Sequence, residues 1–239
     1  HAELVQPVTA TDVLAKAKAL GTAPSALFMA ASFYTLGRFA NTKELFMTTI
    51  SNGRLNPLSR GVVGMFINTL PLVCKLEDVC VREFIYGVRE MFMKTREHEE
   101  YSFASLSRDY GIEQNVRFVY QYGTLGNTFQ VRGTEVKAEP MRRNSHSFPL
   151  TITIHNVEGK PAIVINYDAA RYSAGLVGRF AESMDAVISH FLEDPDGRLL
   201  AVSIMSERQK KEVAAMRQTC LDASAVRFPL FHKSVEYWA

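Results

Sequence analysis

The chain has 239 residues, 47% of them hydrophobic and 22% charged, with a formal net charge of +2. That suits one large domain or two small ones with a sizeable core and sets disorder aside for most of the chain. The basic residues, densest at Arg142–Arg143 and Arg208–Lys211, form no stripe of the kind nucleic-acid binders carry, and no run approaches the roughly 18 apolar residues of a membrane span.

Thr11 and Asp12 precede Val13, Leu14, Ala17 and Leu20, which predicts a capped helix ended by Gly21. A second helix is expected over about 24–39, with Pro24 in its first turn and Leu27, Phe28, Ala31, Tyr34, Thr35 and Phe39 on a wide apolar face. Its small residues Ala30, Ala31 and Ser32 suit close packing against a sheet. Glu44 to Ser51 is rich in β-formers and reads as a buried strand running into the turn Asn52-Gly53-Arg54. Residues 55–63 read as a loop with Pro57, and Phe66 to Leu76 as a second strand. Pro71 cannot donate to a ladder, so that strand lies at an edge or bends there.

Asp78 is expected to cap a helix over about 79–96, in which Phe84, Val88, Met91 and Phe92 recur at helical spacing. A short helix follows at 102–109, ending at Gly111. Strands are predicted at 116–122, 148–155 and 161–167, the last two joined as a hairpin through Asn156-Val157-Glu158-Gly159. The stretch 123–147 reads as loops around one short strand. A long amphipathic helix is predicted over about 173–192, another over 206–216, and a linker over 217–239. The order α-α-β-β-α-α-β-β-β-α-α, without repeats or a phosphate-binding glycine motif, argues against a doubly wound nucleotide fold.

The residues carry little self-evident chemistry. The three cysteines, Cys74, Cys80 and Cys220, fit no zinc spacing. Cys74 and Cys80 read as small buried residues of a reducing compartment, which, with no signal peptide, leads to the expectation of a cytoplasmic protein. No two of the six histidines are adjacent, and neither H-E-x-x-H nor G-x-S-x-G occurs, so no metal site is expected. His155 reads as a satisfied structural histidine in a strand, and His190 as a residue favoured by the end of a long helix.

Gly64-Met65-Phe66-Ile67-Asn68-Thr69-Leu70-Pro71-Leu72 resembles a signature of the condensation domains of nonribosomal peptide synthetases. Ile50-Ser51-Asn52-Gly53-Arg54 with Pro57 is similar to the family's strand ending in Gly-Arg. His98-Glu99-Glu100-Tyr101-Ser102-Phe103-Ala104-Ser105-Leu106 resembles its His-Gln-x-x-Pro-Phe-x-x-Leu, with serine in place of proline. Arg117 to Tyr122, Phe148-Pro149-Leu150 and Tyr167 to Tyr172 follow in the matching order, over about residues 10–215. Phe228 to Glu236 looks like the linker into an adenylation domain.

The resemblance implies an α/β fold: a chloramphenicol-acetyltransferase-like half-domain with a mixed β-sheet flanked by helices. Residues 1–216 would be the C-terminal lobe and 217–239 the linker toward an adenylation domain. The parent activity implied is amide formation between carrier-bound acyl groups. The His-His-x-x-x-Asp-Gly motif of the first lobe occurs nowhere in this sequence, so no catalytic residue is expected here and the chain alone should be inactive. By the same resemblance, Arg54 would pair with the aspartate of that motif as a structural support. Asn68 would line the reaction channel, hydrogen-bonding substrate or positioning a neighbour. Residues 55–63 and 123–147 would supply loops that close the channel, and 117–147 would hold the segment that bridges to the first lobe. The implied partners are the first lobe, peptidyl carrier domains bearing phosphopantetheine, and a downstream adenylation domain. An apolar face normally covered by the first lobe would lie exposed and favour homo-oligomers. Two other classes remain open: a noncatalytic docking lobe for carrier or adenylation domains, and an unrelated α/β binding domain closed on itself.

Overall fold

The computed structural model describes residues 1–59, 61–122, 128–137 and 148–218. The chain separates into two units, His1–Ile204 and Met205–Ala239. The first holds β1 (Ala2–Pro7), α1 (Val13–Ala19), α2 (Pro24–Ala40), β2 (Glu44–Ser51), β3 (Asn68–Lys75), α3 (Val81–Arg96), α4 (Phe103–Tyr110), β4 (Val116–Tyr120), β5 (Thr128–Val131), β6 (Thr134–Lys137), β7 (Leu150–Val157), β8 (Lys160–Tyr167) and α5 (Ala174–Glu193).

Six strands form one mixed sheet in the order β1-β8-β7-β4-β2-β3. β4 runs parallel to both β2 and β7, and every other pair is antiparallel. Side chains alternate between faces along each strand. One face presents Leu45, Met47, Leu72, Phe118, Ile152 and Ile165 to the core. The opposite face carries Val5, Thr48, Val73, Arg117, Thr151, Thr153 and Val164, as the registers require.

α2 lies at the centre of the helical layer, and Ala26 through Thr35 are buried without a break. A helix enclosed on every side must satisfy its polar side chains internally, and it does. Ser32 donates to Phe28 O at 2.9 Å and Thr35 to Ala31 O at 2.8 Å. Gly37 lets α2 lie close to its neighbours, since a Cβ there would lie 2.5 Å from Leu76 Cδ1 and 3.0 Å from Thr42 O. Phe191 of α5 packs against Tyr34 and, edge-on, against Phe84. Each such aromatic buries about 150–250 Å², so this junction adds substantially to the cohesion of the layer.

The structure adds an element that the sequence reading lacks. β1 is an edge strand paired with β8 from Ala2↔Tyr167 to Pro7↔Ala162. β3 is the other edge, which places Pro71 where a missing ladder donor costs least. The expected single short strand within 123–147 is two strands, β5 and β6, paired through Arg132-Gly133. The β7–β8 hairpin turns on Glu158 and Gly159, both at positive φ, the geometry of a two-residue turn between twisted strands.

Four capping and burial expectations are corrected. Asp12 stands before α1 but adopts φ 52° and makes no side-chain cap. α3 is capped by Cys80, not Asp78: Cys80 Sγ accepts Glu83 N at 3.4 Å while Glu83 Oε2 accepts Cys80 N at 3.3 Å. Asp78 pairs instead with Arg198, which holds its carboxyl below the ordinary range. Cys74 is buried as expected, but Cys80 is only half-buried, because a cap residue sits where the chain enters the helix. His155 is exposed near the end of β7, with no hydrogen-bond partner among the described residues, rather than a satisfied interior histidine. His190 lies in the last turn of α5 with Nδ1 3.7 Å from Glu193 Oε2, in keeping with its helix-end position.

In the second unit, α6 (Glu207–Gln218) opens with a reciprocal cap. Gln209 N donates to Ser206 Oγ at 3.2 Å, and Ser206 N to Gln209 Oε1 at 3.0 Å. Residues 219–239, which include Cys220 and most of the expected linker, lie outside the described residues.

Candidate functional site

The two residues singled out from the sequence, Arg54 and Asn68, flank the connection between β2 and β3. β2 ends at Ser51, and the chain turns at Gly53 with φ 64°. A Cβ on Gly53 would sit 1.9 Å from Phe66 O, so this close approach requires glycine. Asn52 Oδ1 accepts the Arg54 amide at 3.2 Å and shapes the turn.

Arg54 organises the connection it enters. Its Nη1 donates to Ser59 O and, at 3.1 Å, to Val62 O, and its Nη2 donates to Gly64 O at 3.3 Å. Its guanidinium stacks on the Phe66 ring, 4.4 Å from the centroid. Charge-assisted bonds to three carbonyls hold a loop that has no ladder of its own. Three of five guanidinium donors are thus engaged, and Nε–H has no partner among the described residues. Around this hub Leu55, Leu58, Val62, Val63, Met65 and Ile67 all point outward, Val63 fully exposed.

Asn68 begins β3 and spends its amide on backbone. Nδ2 donates to Glu99 O at 2.8 Å and Tyr101 O at 3.0 Å, and Oδ1 accepts Thr69 N at 2.9 Å. It fastens the start of β3 to the corner between α3 and α4.

That corner holds a residue to which the sequence reading gave no role of its own. Glu99 is 6% exposed. Its Oε2 accepts from the Ser51 hydroxyl and its Oε1 accepts the Leu55 amide at 3.1 Å, with Arg96 Nε 4.0 Å away. A buried carboxylate thus joins the end of β2, the entry of the loop and the end of α3. Its position in the His98–Leu106 segment, where the resembling motif has glutamine, is the signal that could have pointed to it.

Of the other expected channel loops, residues 55–63 form this connection. Residues 123–127 and 138–147 lie outside the described ones. Among the described residues no cluster of histidine, cysteine or carboxylate could hold a metal ion, and no single helix is long and apolar enough to cross a membrane.

A family model, the condensation domain, matches residues 3–214. Bacitracin synthase 1 of Bacillus licheniformis is 23% identical over 206 residues, which are 82% of this chain and 4% of that protein. A four-domain nonribosomal peptide synthetase, holo-AB3403, bound to AMP and glycine, superposes with a TM-score of 0.74 at 18% identity, over 87% of this chain and 18% of that one. The X-domain from teicoplanin biosynthesis, solved in complex with OxyB, superposes with a TM-score of 0.69 at 16% identity, over 86% of this chain and 48% of that one. The chain therefore spans a small part of the synthetases and about half of the X-domain chain. The expected chloramphenicol-acetyltransferase-like arrangement, a mixed sheet flanked by helices, is borne out.

Proposed function

The chain belongs to the condensation-domain family, and from that membership we propose that it is the second lobe of a nonribosomal peptide synthetase condensation domain. The parent domain joins carrier-bound aminoacyl and peptidyl thioesters: an amine nitrogen attacks a thioester carbonyl, an amide forms, and a thiol leaves. The observation that carries the reading is one of extent, since 86% of this chain overlays 48% of a solved neighbour of the same fold. With no His-His-x-x-x-Asp-Gly motif in its sequence, the chain alone forms no amide bonds.

In this reading the Arg54 loop faces the first lobe. The Nε–H of Arg54, unused by the loop, is the donor left for the aspartate of the missing motif. Asn68 lines the channel edge by positioning its neighbours, since its amide is engaged by backbone. The ridge from Leu55 to Ile67 is the apolar surface that the first lobe covers, and wherever it is left uncovered it favours self-association. Carrier domains present the substrates on phosphopantetheine arms, residues 217–239 lead toward an adenylation domain, and the assembly works in the cytoplasm.

A second reading is a noncatalytic docking lobe. It is favoured by one observation, that the X-domain neighbour was solved in complex with another protein.

Co-expression with a first lobe that carries the histidine motif tests both. In the first reading the halves associate, amide formation from loaded carrier proteins returns, and Arg54→Ala reduces both. Association without amide formation supports the docking lobe. A chain that stays a non-associating monomer overturns both and points to an independent binding domain.

A further inference from the structure

The registers of the large sheet place one cross-strand row on the face opposite the core. It runs Pro71–Thr48–Arg117–Thr151–Asn166–Glu3, from one edge strand to the other. Arg117 stands at its centre, on β4, directly beside Thr151 of β7.

Arg117 is half-buried, and among the described residues its guanidinium makes no hydrogen bond and no ion pair. Its one contact of note is the Phe148 ring, 4.0 Å from the guanidinium carbon. Stacking uses the flat face of the group and leaves the in-plane N–H donors unspent. Nε is buried and unpartnered. Thr151 is 4% exposed, and its hydroxyl is likewise buried and unpartnered. Two orphaned donors thus lie side by side on adjacent strands.

The neighbours explain why this is not a general property of the row. Thr48, on the other side of Arg117, is partnered: it donates to Val116 O at 3.3 Å and accepts from Gln114 Nε2. Glu3, the carboxylate of the row, is three strand spacings away, about 14 Å. A cation withdrawn from water with no counter-charge costs stability, and burial accordingly pushes the Arg117 guanidinium below its ordinary range.

We propose that Arg117 and Thr151 form a binding site for an oxyanion of a ligand, with a carboxylate as the planar match to the guanidinium fork. A neutral ligand would leave the charge uncompensated, and a cation would be repelled. The hydroxyl of Thr151 adds a donor from the side, as oxyanion recognition requires. This inference stands apart from the lobe reading above, since it uses only the sheet face.

Thermal unfolding of the full chain tests it, with acetate and phosphate each compared with chloride at equal ionic strength. At tenfold excess over its Kd, the preferred anion raises Tm by about 3–6 °C. A larger response to acetate identifies a carboxylate site, and a larger response to phosphate a phosphate site. Arg117→Met, which keeps an unbranched chain against Phe148, abolishes the response. Thr151→Val, which preserves shape, weakens it several-fold and serves as the arm that does not touch the cation. The Arg117 Nε–Hε resonance moves on titration with the preferred anion. Equal Tm responses in the parent chain and Arg117→Met overturn the proposal. So does an Nε–Hε resonance unmoved by either anion, which would show that neither reaches the guanidinium.

Discussion

Glu99 accepts the Leu55 amide at 3.1 Å across 44 residues of sequence, tying the corner after α3 to the first residue beyond Arg54. The other oxygen of the same carboxylate takes the Ser51 hydroxyl, so the loop is held on both sides of its tight turn. Arg54 then organises the loop from within.

Removing this clamp should loosen the loop. Glu99→Ala leaves a part-buried amide and a buried hydroxyl without their acceptor and costs about 1–3 kcal/mol. Glu99→Gln keeps an acceptor for Leu55 and a donor for Ser51 and stays within about 1 kcal/mol of the parent chain. Urea titration measures both, and hydrogen exchange at the Leu55 amide reports the local effect: faster in Glu99→Ala, little changed in Glu99→Gln.

The fork of Arg54 is not replaceable by a point charge. Arg54→Lys loses the planar stack on Phe66 and cannot reach three diverging carbonyls. Hydrogen exchange should rise across residues 55–66, while global stability falls by no more than about 1 kcal/mol because the loop contributes little core. A uniform rise across the whole sheet would contradict this.

A second buried carboxylate carries a pH signature. Asp185 of α5 accepts the Thr9 amide at 2.9 Å and the Thr9 hydroxyl at 2.7 Å, yet burial outweighs these bonds and pushes its carboxyl above the ordinary 3.8. The native state therefore binds this proton before the unfolded state does. The stabilisation is fully present below 3.8 and is lost as pH rises through the raised native value. Asp185→Asn should flatten stability against pH in that window and raise stability at neutral pH, as measured by urea midpoints across a pH series.

The two described cysteines should separate by reactivity. Burial pushes the Cys74 thiol up to about 12, whereas Cys80 is half-buried at the mouth of α3. At pH 8 Cys74 is almost entirely thiol, and only thiolate reacts. Site-resolved alkylation should modify Cys80 at least tenfold faster than Cys74. Comparable rates would mean that β3 opens readily.

Much of the molecule is legible in the residues alone. A run of β-formers meeting Asn52-Gly53 marks β2 at Glu44–Ser51, and a proline start with an unbroken apolar face marks α2. The β7–β8 hairpin follows from Glu158-Gly159. These signals are local: a turn, a cap or a period lies within a few residues of the element it specifies. β1 escapes such a reading because Ala2–Pro7 is short and lacks a clean polar–apolar alternation, and becomes a strand only by pairing with residues 162–167. Asp78 looks like a cap from its neighbours, but its partner, Arg198, lies 120 residues away.

The sequence by itself determined most of the elements, because propensity, capping and periodicity act over short stretches of chain, and its motifs carried the resemblance to the family. The tertiary structure alone decided which polar groups meet. It joined Glu99 to Ser51 and Leu55, turned Arg54 onto its own loop, and left Arg117 and Thr151 side by side without partners. Those outcomes depend on strand register and on the crossing of distant segments, and a one-residue slip in the register of a strand would send every one of its side chains to the other face.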